Sequence, residues 1–184
     1  MAKINKVKNV IFHFITDGRD TNMTALEHIN TFMEKANKLQ LGTIGTICGR
    51  YYAIDDDNGY DRIKKVYDAL IYNMGNNISD YSRCLELHYK NNITDEYINP
   101  SIITKGSQIK DNDGVLFVDF RPERMEKLIS SLVDDNFNMF NVKALKNVKY
   151  TALYSTNEKI QGAYTNEVLS NTFGKYLAGL DFKQ

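Results

Sequence analysis

The sequence has no excess charge, few cysteines and no long apolar run, and each of these absences argues against a class of protein. Its 23 basic residues balance 23 acidic ones, so it lacks the positive surplus that binding to nucleic acid or anionic membranes normally needs. Cys48 and Cys84 form no CxxC pair, which leaves a disulfide framework or a zinc site without support. No apolar run has the length of a membrane span. We therefore expect a soluble, cytoplasmic protein that binds neither nucleic acid nor membranes.

The chain length suits one domain. With 184 residues and 42% hydrophobic content, the sequence is long enough for one compact core and short for two. Apolar and β-branched runs predict four buried strands, and a shorter run after Pro100 predicts a small edge strand over Ser101–Lys105. The four buried strands are Val10–Ile15, Thr43–Cys48, Gly114–Phe120 and Val148–Leu153.

Apolar residues at three- and four-residue steps predict helices between these strands. The clearest stripe starts at Ile63 and ends at Met74, just before Gly75. The other predicted helices run over Asn22–Leu41, Ser79–Lys90, Pro122–Val133 and Val168–Leu180. The alternation of strands and helices predicts an α/β fold, a three-layer sandwich with a largely parallel sheet flanked by helices, in a single domain over residues 1–184.

The loops that follow three of the predicted strands share a basic character. Asp17–Asp20 follows the first strand, Gly49–Tyr52 the second and Arg121–Arg124 the third. Because the carboxyl ends of parallel strands meet at one edge of an open α/β sheet, we expect these loops to face one crevice. Gly18 and Gly49 would let the backbone turn tightly or approach a ligand there. The crevice would contain four arginines, Arg19, Arg50, Arg121 and Arg124.

Arginines at this place predict a site for a small, multiply charged anion. The guanidinium is planar and permanently charged, so it binds carboxylate or phosphate through two parallel hydrogen bonds. Arg121 and Arg124 open a helix, where the dipole disfavours cations unless an anion is bound. Asp20 is the one carboxylate predicted to lie among the arginines, and it would accept a proton or a hydroxyl hydrogen bond. The predicted ligand therefore carries a hydroxyl as well as anionic groups.

Plainer interpretations of the arginines stay open. Arg121 could form a surface ion pair with Asp119, and Arg124 could pair with Asp20 or Glu123. Such pairs are common, and any one arginine taken alone fits them better than it fits a ligand contact. The shared character of three loops is what favours the anion site.

Other polar residues receive structural interpretations. His13 lies inside a strand and is predicted to be packed or hydrogen-bonded rather than catalytic. Asp55–Asp57 lacks the spacing and the glutamate of an EF-hand loop, which favours a solvated turn. Tyr51 and Tyr52 either line the crevice or pack at its rim. The sequence has no residues at metal-ligand spacing, so it predicts no metal site. It also has no GxGxxG or P-loop motif, so it gives no support to nucleotide binding.

Three segments together resemble the 2,3-bisphosphoglycerate-independent phosphoglycerate mutases. They are Phe14–Thr21, Ile47–Asp55 and Phe117–Arg124, in the order and spacing of that family. The resemblance covers almost the whole chain, and the ordered set is specific although each motif alone is modest. Supporting matches are Asp61–Arg62, Asp95–Tyr97 and Pro100.

The resemblance implies one domain of a glycolytic isomerase. Such enzymes interconvert 3-phosphoglycerate and 2-phosphoglycerate through a phosphoserine on a phosphatase-like domain that carries two manganese ions. The resembled domain holds the substrate and needs no cofactor of its own, so its expected partners are phosphoglycerate and that phosphatase-like domain. The resemblance implies that Arg19 and Asp20 bind the glyceric acid part, with Asp20 as the catalytic contact to the reacting hydroxyl. Arg50 would hold the carboxylate side, and Arg121 and Arg124 would clamp the phosphate.

The sequence departs from that family in two ways. Asp56 stands where the family usually has an arginine, which should weaken binding unless Arg62 or a neighbouring lysine compensates. Nothing matches the nucleophilic serine or the metal motifs, and the chain stops at Gln184, before the segment with the catalytic lysine. We therefore expect an isolated substrate-binding domain that is inactive alone. The alternatives are a stand-alone anion-binding or regulatory module derived from that domain and, with weaker support, a nucleotide-binding α/β domain.

Overall fold

The computed structural model describes residues 2–54, 59–154 and 157–163, whose strands form two sheets. The strands are β1 (Ile11–Thr16), β2 (Thr43–Gly49), β3 (Asn76–Asn77), β4 (Ser101–Ile102), β5 (Gly114–Phe117), β6 (Lys149–Ala152) and β7 (Gln161–Gly162). The first sheet has the order β1-β2-β4-β3, and the second has the order β5-β6-β7. Strands β2 and β4 are antiparallel, whereas all other neighbouring pairs are parallel.

Helices connect most of these strands. They are α1 (Ala25–Lys38), α2 (Arg50–Ala53), α3 (Tyr60–Tyr72), α4 (Tyr81–Lys90) and α5 (Pro122–Val133), with a 3-10 turn over Asp95–Tyr97. The α/β class with parallel-rich sheets flanked by helices is confirmed, with the strands divided between two sheets. The helix predicted over Val168–Leu180 lies outside the described residues.

Local sequence signals account for where two of the helices begin and end. Helix α5 begins with Pro122 at its first position, as predicted, because proline has the helical φ and needs no N–H acceptor there. Helix α3 ends at Tyr72 rather than at Met74, because Asn73 adopts the left-handed conformation with a φ of 56°. The Met74 side chain consequently leaves the apolar stripe and is exposed.

Strands β1, β4, β5 and β6 differ from their predictions. Strand β5 was predicted to be buried over Gly114–Phe120, but it ends at Phe117, and Leu116, Val118 and Phe120 are exposed. Strand β6 was also predicted to be buried, but its one buried residue is Ala152.

Ser101–Ile102 was predicted at an edge, but it lies between β2 and β3 and is buried. Strand β1 was predicted to be buried on both faces, but its side chains are mostly half-buried. Among the described residues β1 has a paired strand on one side alone, which leaves its other side more accessible.

The first sheet carries apolar packing on both faces. Because successive strand residues point in opposite directions, Ile47 packs with helices α1 and α4 whereas Cys48 packs with α3 and α5. The second sheet contributes Phe117 and Ala152 to the same cluster as α3 and α5. This shared cluster joins the two sheets through one core.

His13 takes the packed, hydrogen-bonded alternative. Its Nδ1 lies 2.9 Å from the Thr46 hydroxyl oxygen on the neighbouring strand. Burial lowers the pKa of His13 from 6.5 to about 4, because the charged imidazolium is poorly solvated there. The folded protein therefore keeps this histidine neutral at pH values where an unfolded chain would protonate it.

This difference predicts a loss of stability in mild acid. Since the pKa of His13 is lower in the folded chain, its contribution is fully present above pH 6.5 and is lost as the pH falls from 6.5 to 4. The full loss is about 3 kcal/mol at 1.36 kcal/mol per unit of pKa. Urea unfolding of the protein and of His13→Gln at pH 7 and pH 4.5 should show the larger loss in the protein with histidine. Equal losses in the two proteins would contradict this account.

Candidate functional site

A sharp turn follows strand β1. The Asp17 carboxylate accepts hydrogen bonds from the backbone N–H groups of Arg19 and Asp20, at 3.3 and 3.0 Å. Gly18 has a φ of +75°, a left-handed conformation that glycine adopts without strain. The turn leaves the side chains of Arg19 and Asp20 exposed at the carboxyl end of β1.

Arg50 is the most buried of the four predicted arginines. It is the first residue of helix α2, directly after β2, and its side chain is 8% exposed. Its Nη1 donates to Asp17, whereas its buried Nε has no hydrogen-bond partner among the described residues. Burial raises the pKa of Asp17, but hydrogen bonds from the Asp20 backbone and from Arg50 outweigh this effect and lower it below its ordinary value. Asp17 is therefore an ionised partner that links the first two loops.

Glu96 contacts the other arginine of this group. Its Oε1 accepts a hydrogen bond of 2.9 Å from Nε of Arg19, and its side chain is 12% exposed. Asp20 was predicted to be the one carboxylate among the arginines, which is wrong, because Asp17 and Glu96 both contact arginine side chains. The backbone N–H of Asp20 donates to Asp17 and stabilises the turn, while the Asp20 side chain is exposed next to Arg19.

The glycines of the first two loops lie against the Asp95–Glu96 backbone. A Cβ atom on Gly18 would come within 2.1 Å of the Glu96 backbone nitrogen. A Cβ atom on Gly49 would come within 2.1 Å of the Glu96 carbonyl oxygen. These glycines therefore allow close approach to the protein's own chain, where the sequence had suggested approach to a ligand.

Aromatic rings form one side of this group. The Tyr51 ring lies 5.0 Å from the Tyr97 ring, and the Arg62 guanidinium lies 3.9 Å from the centre of the Tyr51 ring. The Tyr52 hydroxyl donates to the side-chain oxygen of Asn99 at 2.7 Å. Arg62, the predicted substitute for the family arginine at position 56, thus lies beside the second loop. Position 56 itself is outside the described residues.

The remaining two arginines lie at the end of the second sheet. Arg121 is the N-cap of helix α5, and its backbone N–H donates to the Asp119 carboxylate at 2.6 Å. This contact uses the main chain of Arg121, whose guanidinium is exposed. Arg124 lies in the first turn of the same helix and is half-buried. Contacts to Asp17 thus join the loops that carry Arg19, Asp20 and Arg50, whereas Arg121 and Arg124 lie at the N-terminus of helix α5.

The described residues contain no group of three or more histidine, cysteine, aspartate or glutamate side chains placed to hold a metal ion. In the part of the chain that the structure describes, no helix is long and apolar enough to cross a membrane. The contacts of Asp95 and Glu96 with the first loop and with helix α1 were not predicted from the sequence. The sequence gives no sign of this proximity, because Glu96 lies 77 positions from Arg19 along the chain.

The fold and these groups define an α/β domain with arginine-rich loops at the carboxyl ends of its strands. A family model described as BPG-independent PGAM N-terminus matches residues 1–158. The chain belongs to this family, and the resemblance noted in the sequence is confirmed.

Curated relatives match the whole chain. A 2,3-bisphosphoglycerate-independent phosphoglycerate mutase of Picosynechococcus sp. is 35% identical over 187 residues, which are 100% of this chain and 35% of the relative. The enzymes with the same name from Microcystis aeruginosa and Clostridium kluyveri are 36% and 35% identical, with 35% and 38% of their lengths covered. The chain thus spans little more than a third of these relatives.

A solved structure supports the fold. Phosphoglycerate mutase of Leishmania mexicana, crystallised at low cobalt concentration, matches with a TM-score of 0.84 and 19% sequence identity. The match covers 99% of this chain and 36% of that one. At this identity the likeness concerns the fold alone.

Proposed function

We propose that this chain is the substrate-binding domain of a 2,3-bisphosphoglycerate-independent phosphoglycerate mutase. It would hold 3-phosphoglycerate or 2-phosphoglycerate while the phosphoryl group moves between the two hydroxyl positions. The relatives that carry this name support the choice of substrate. The observation that carries the proposal is the buried Arg50, whose Nε has no partner among the described residues, beside the exposed Arg19 and Asp20.

Arg50 supports an anionic ligand on energetic grounds. A buried, charged donor without an acceptor destabilises a folded protein by about 1–3 kcal/mol or more. Asp17 accepts from Nη1 of Arg50 and balances its charge, but Nε on the same guanidinium still lacks an acceptor. A ligand carboxylate would supply that acceptor, so we assign Arg50 to the carboxylate side of the glycerate.

The exposed residues would bind the remaining parts of the substrate. Arg19 and Asp20 project from one turn, which suits a hydroxyl that accepts from a guanidinium and donates to a carboxylate. Asp20 would thereby orient the hydroxyl that gains or loses the phosphoryl group. Arg121 and Arg124 would clamp the phosphate, with additional help from the N-terminus of helix α5.

The transfer chemistry is assigned to another domain of the same enzyme. Because the described residues contain no cluster that fits a metal site, we assign the two manganese ions and the phosphoserine to a phosphatase-like domain. The present chain would contribute binding and orientation, in the cytoplasmic setting of glycolysis. We propose that the isolated chain is inactive as a mutase, and turnover by the purified chain with manganese would contradict this.

The test compares ligands that carry separate parts of the substrate. Arg50→Lys keeps the positive charge but removes the guanidinium fork. We expect its affinity for D-glycerate to fall about tenfold, the effect of one charged hydrogen bond. The affinity for inorganic phosphate should stay within about twofold, since other arginines hold the phosphate. Calorimetric titrations of the protein, of Arg50→Lys and of Arg83→Lys, an exposed control on helix α4, decide the matter.

Failure of the unaltered protein to bind 3-phosphoglycerate would contradict the proposed function. An Arg50→Lys protein that binds glycerate normally would instead contradict the role given to Arg50. Urea unfolding of each variant separates a loss of binding from a loss of folding.

A further inference from the structure

We infer that Glu96 is a positioning residue for Arg19, which it holds in place before the substrate binds. This inference rests on the proposed function. The contact that motivates it joins Glu96 Oε1 to Arg19 Nε at 2.9 Å, between residues 77 positions apart in the sequence. The Glu96 side chain is 12% exposed and that of Arg19 is 47% exposed, so a largely buried acceptor holds a largely accessible donor.

The backbone at Glu96 lies between the two loops that carry Arg19 and Arg50. The chain at Gly18 approaches the Glu96 nitrogen, and the chain at Gly49 approaches the Glu96 carbonyl, so closely that neither position has room for a Cβ atom. The N–H of Gly49 also donates to the carbonyl of Ile98 at 2.8 Å. Glu96 therefore acts as a spacer that fixes the two loops relative to one another.

The neighbouring Asp95 anchors this spacer in the core. Its carboxylate is buried and accepts the backbone N–H groups of Thr24 and Ala25, at 2.8 and 2.9 Å, and the Tyr89 hydroxyl. Its carbonyl accepts the Thr16 hydroxyl at 2.6 Å. Burial and the bond to Asp95 raise the pKa of Tyr89, so this hydroxyl stays a donor at all physiological pH values. With its neighbour fixed on three sides, Glu96 has a rigid base.

This geometry lowers the entropic cost of binding. A long arginine side chain loses about 0.5–1.5 kcal/mol of conformational freedom when a ligand orders it. The bond from Nε to Glu96 restricts Arg19 in the free protein, so less freedom remains to be lost on binding. The competing idea is that Glu96 occupies Arg19 in place of the ligand and must be displaced. The two ideas predict opposite effects when the carboxylate is removed.

The experiment measures 3-phosphoglycerate binding by calorimetry for the protein, Glu96→Ala and Glu96→Gln. Positioning predicts that Glu96→Ala lowers the affinity about fivefold to tenfold. It also predicts that Glu96→Gln recovers most of this loss, because an amide oxygen still accepts from Nε. Glu86→Ala, an exposed glutamate on helix α4, is the matched control and should change nothing. Unchanged or tighter binding by Glu96→Ala would overturn the inference.

A second measurement makes the result independent of the ligand. In the ligand-free protein, exchange of the Arg19 Nε proton with water, followed by NMR, should be slow in the protein and in Glu96→Gln, and faster in Glu96→Ala. Equal exchange in all three would overturn the inference. If the unaltered protein binds no phosphoglycerate, the proposed function fails while the exchange result still decides whether Glu96 holds Arg19. Should Glu96→Ala not fold, Glu96→Asp, which shortens the side chain, replaces it with the same expected direction.

Discussion

Replacing Arg121 and Arg124 together by alanine should lower the affinity for 3-phosphoglycerate by at least about 100-fold. Each guanidinium that donates to a phosphate contributes roughly 1.5–3 kcal/mol, so the two together contribute about 3 kcal/mol or more, and about 2.7 kcal/mol already corresponds to a factor of 100. The two residues lie at the N-terminus of helix α5, and the exposed Arg121 guanidinium makes little contribution to the core. Calorimetry at constant salt concentration should show the same large loss for inorganic phosphate and a much smaller loss for D-glycerate.

The control for charge is a second double variant. Arg83→Ala with Lys90→Ala removes two positive charges from helix α4, where both side chains are exposed. It should change the affinity less than about twofold, because screening weakens charges that lie far from the ligand. A double variant at Arg121 and Arg124 that still binds phosphate normally would show that these arginines do not form the phosphate clamp.

Replacing Gly49 by alanine should destabilise the fold by about 3 kcal/mol or more. The added Cβ would lie 2.1 Å from the Glu96 carbonyl oxygen and 2.7 Å from the Asp95 carbonyl oxygen. Both obstacles are backbone atoms, so a change of rotamer cannot relieve the contact, and the segment must move away from its buried anchors. Typical total stabilities are about 5–15 kcal/mol, so the loss would be a large fraction of the whole. Urea unfolding measures it directly.

Gly114→Ala is the matched control for this substitution. Gly114 is the first residue of strand β5, and a Cβ atom there would have no neighbour within 4 Å. Its replacement should change the free energy of unfolding by less than about 0.5 kcal/mol, as is usual for open surface positions. If the two variants unfolded at the same urea concentration, close packing of Gly49 against Glu96 would be disproved.

Local and periodic features of the fold could be predicted from the sequence. Pro122 and the apolar stripe that follows it predicted helix α5 correctly, because both signals depend only on residues close together in the sequence. The apolar runs gave strands β1 and β2, and their order placed the loops after them at one sheet edge, where Asp17 now links Arg19 and Arg50. The apolar stripe predicted that helix α3 extends to Met74, about half a turn beyond its end at Tyr72. The hydrophobic pattern does not show that Asn73 adopts a left-handed conformation.

Long-range partners could not be predicted in this way. Glu96 contacts Arg19, and Asp95 contacts Thr24 at the start of helix α1, across more than 70 residues of sequence. No periodic pattern in the sequence indicates such contacts. Strand β4 was predicted at an edge because it follows Pro100, but its position between β2 and β3 depends on pairing with distant strands that the local pattern does not show. Asp17 was not predicted to lie among the arginines, because the turn at Gly18 that brings it to Arg50 depends on backbone conformation rather than on residue pattern.

The buried Asp95 carboxylate has a consequence for the synthesis of the chain. Helix α1 has no side-chain cap from its own Thr24, and the free N–H groups at its start bond to Asp95, which lies 70 positions after Ala25. On the ribosome the helix therefore emerges well before the residue that completes its first turn. Contacts of such long sequence separation form late, since a large loop must close first. The first turn of helix α1 should consequently be completed only after the chain has closed this loop.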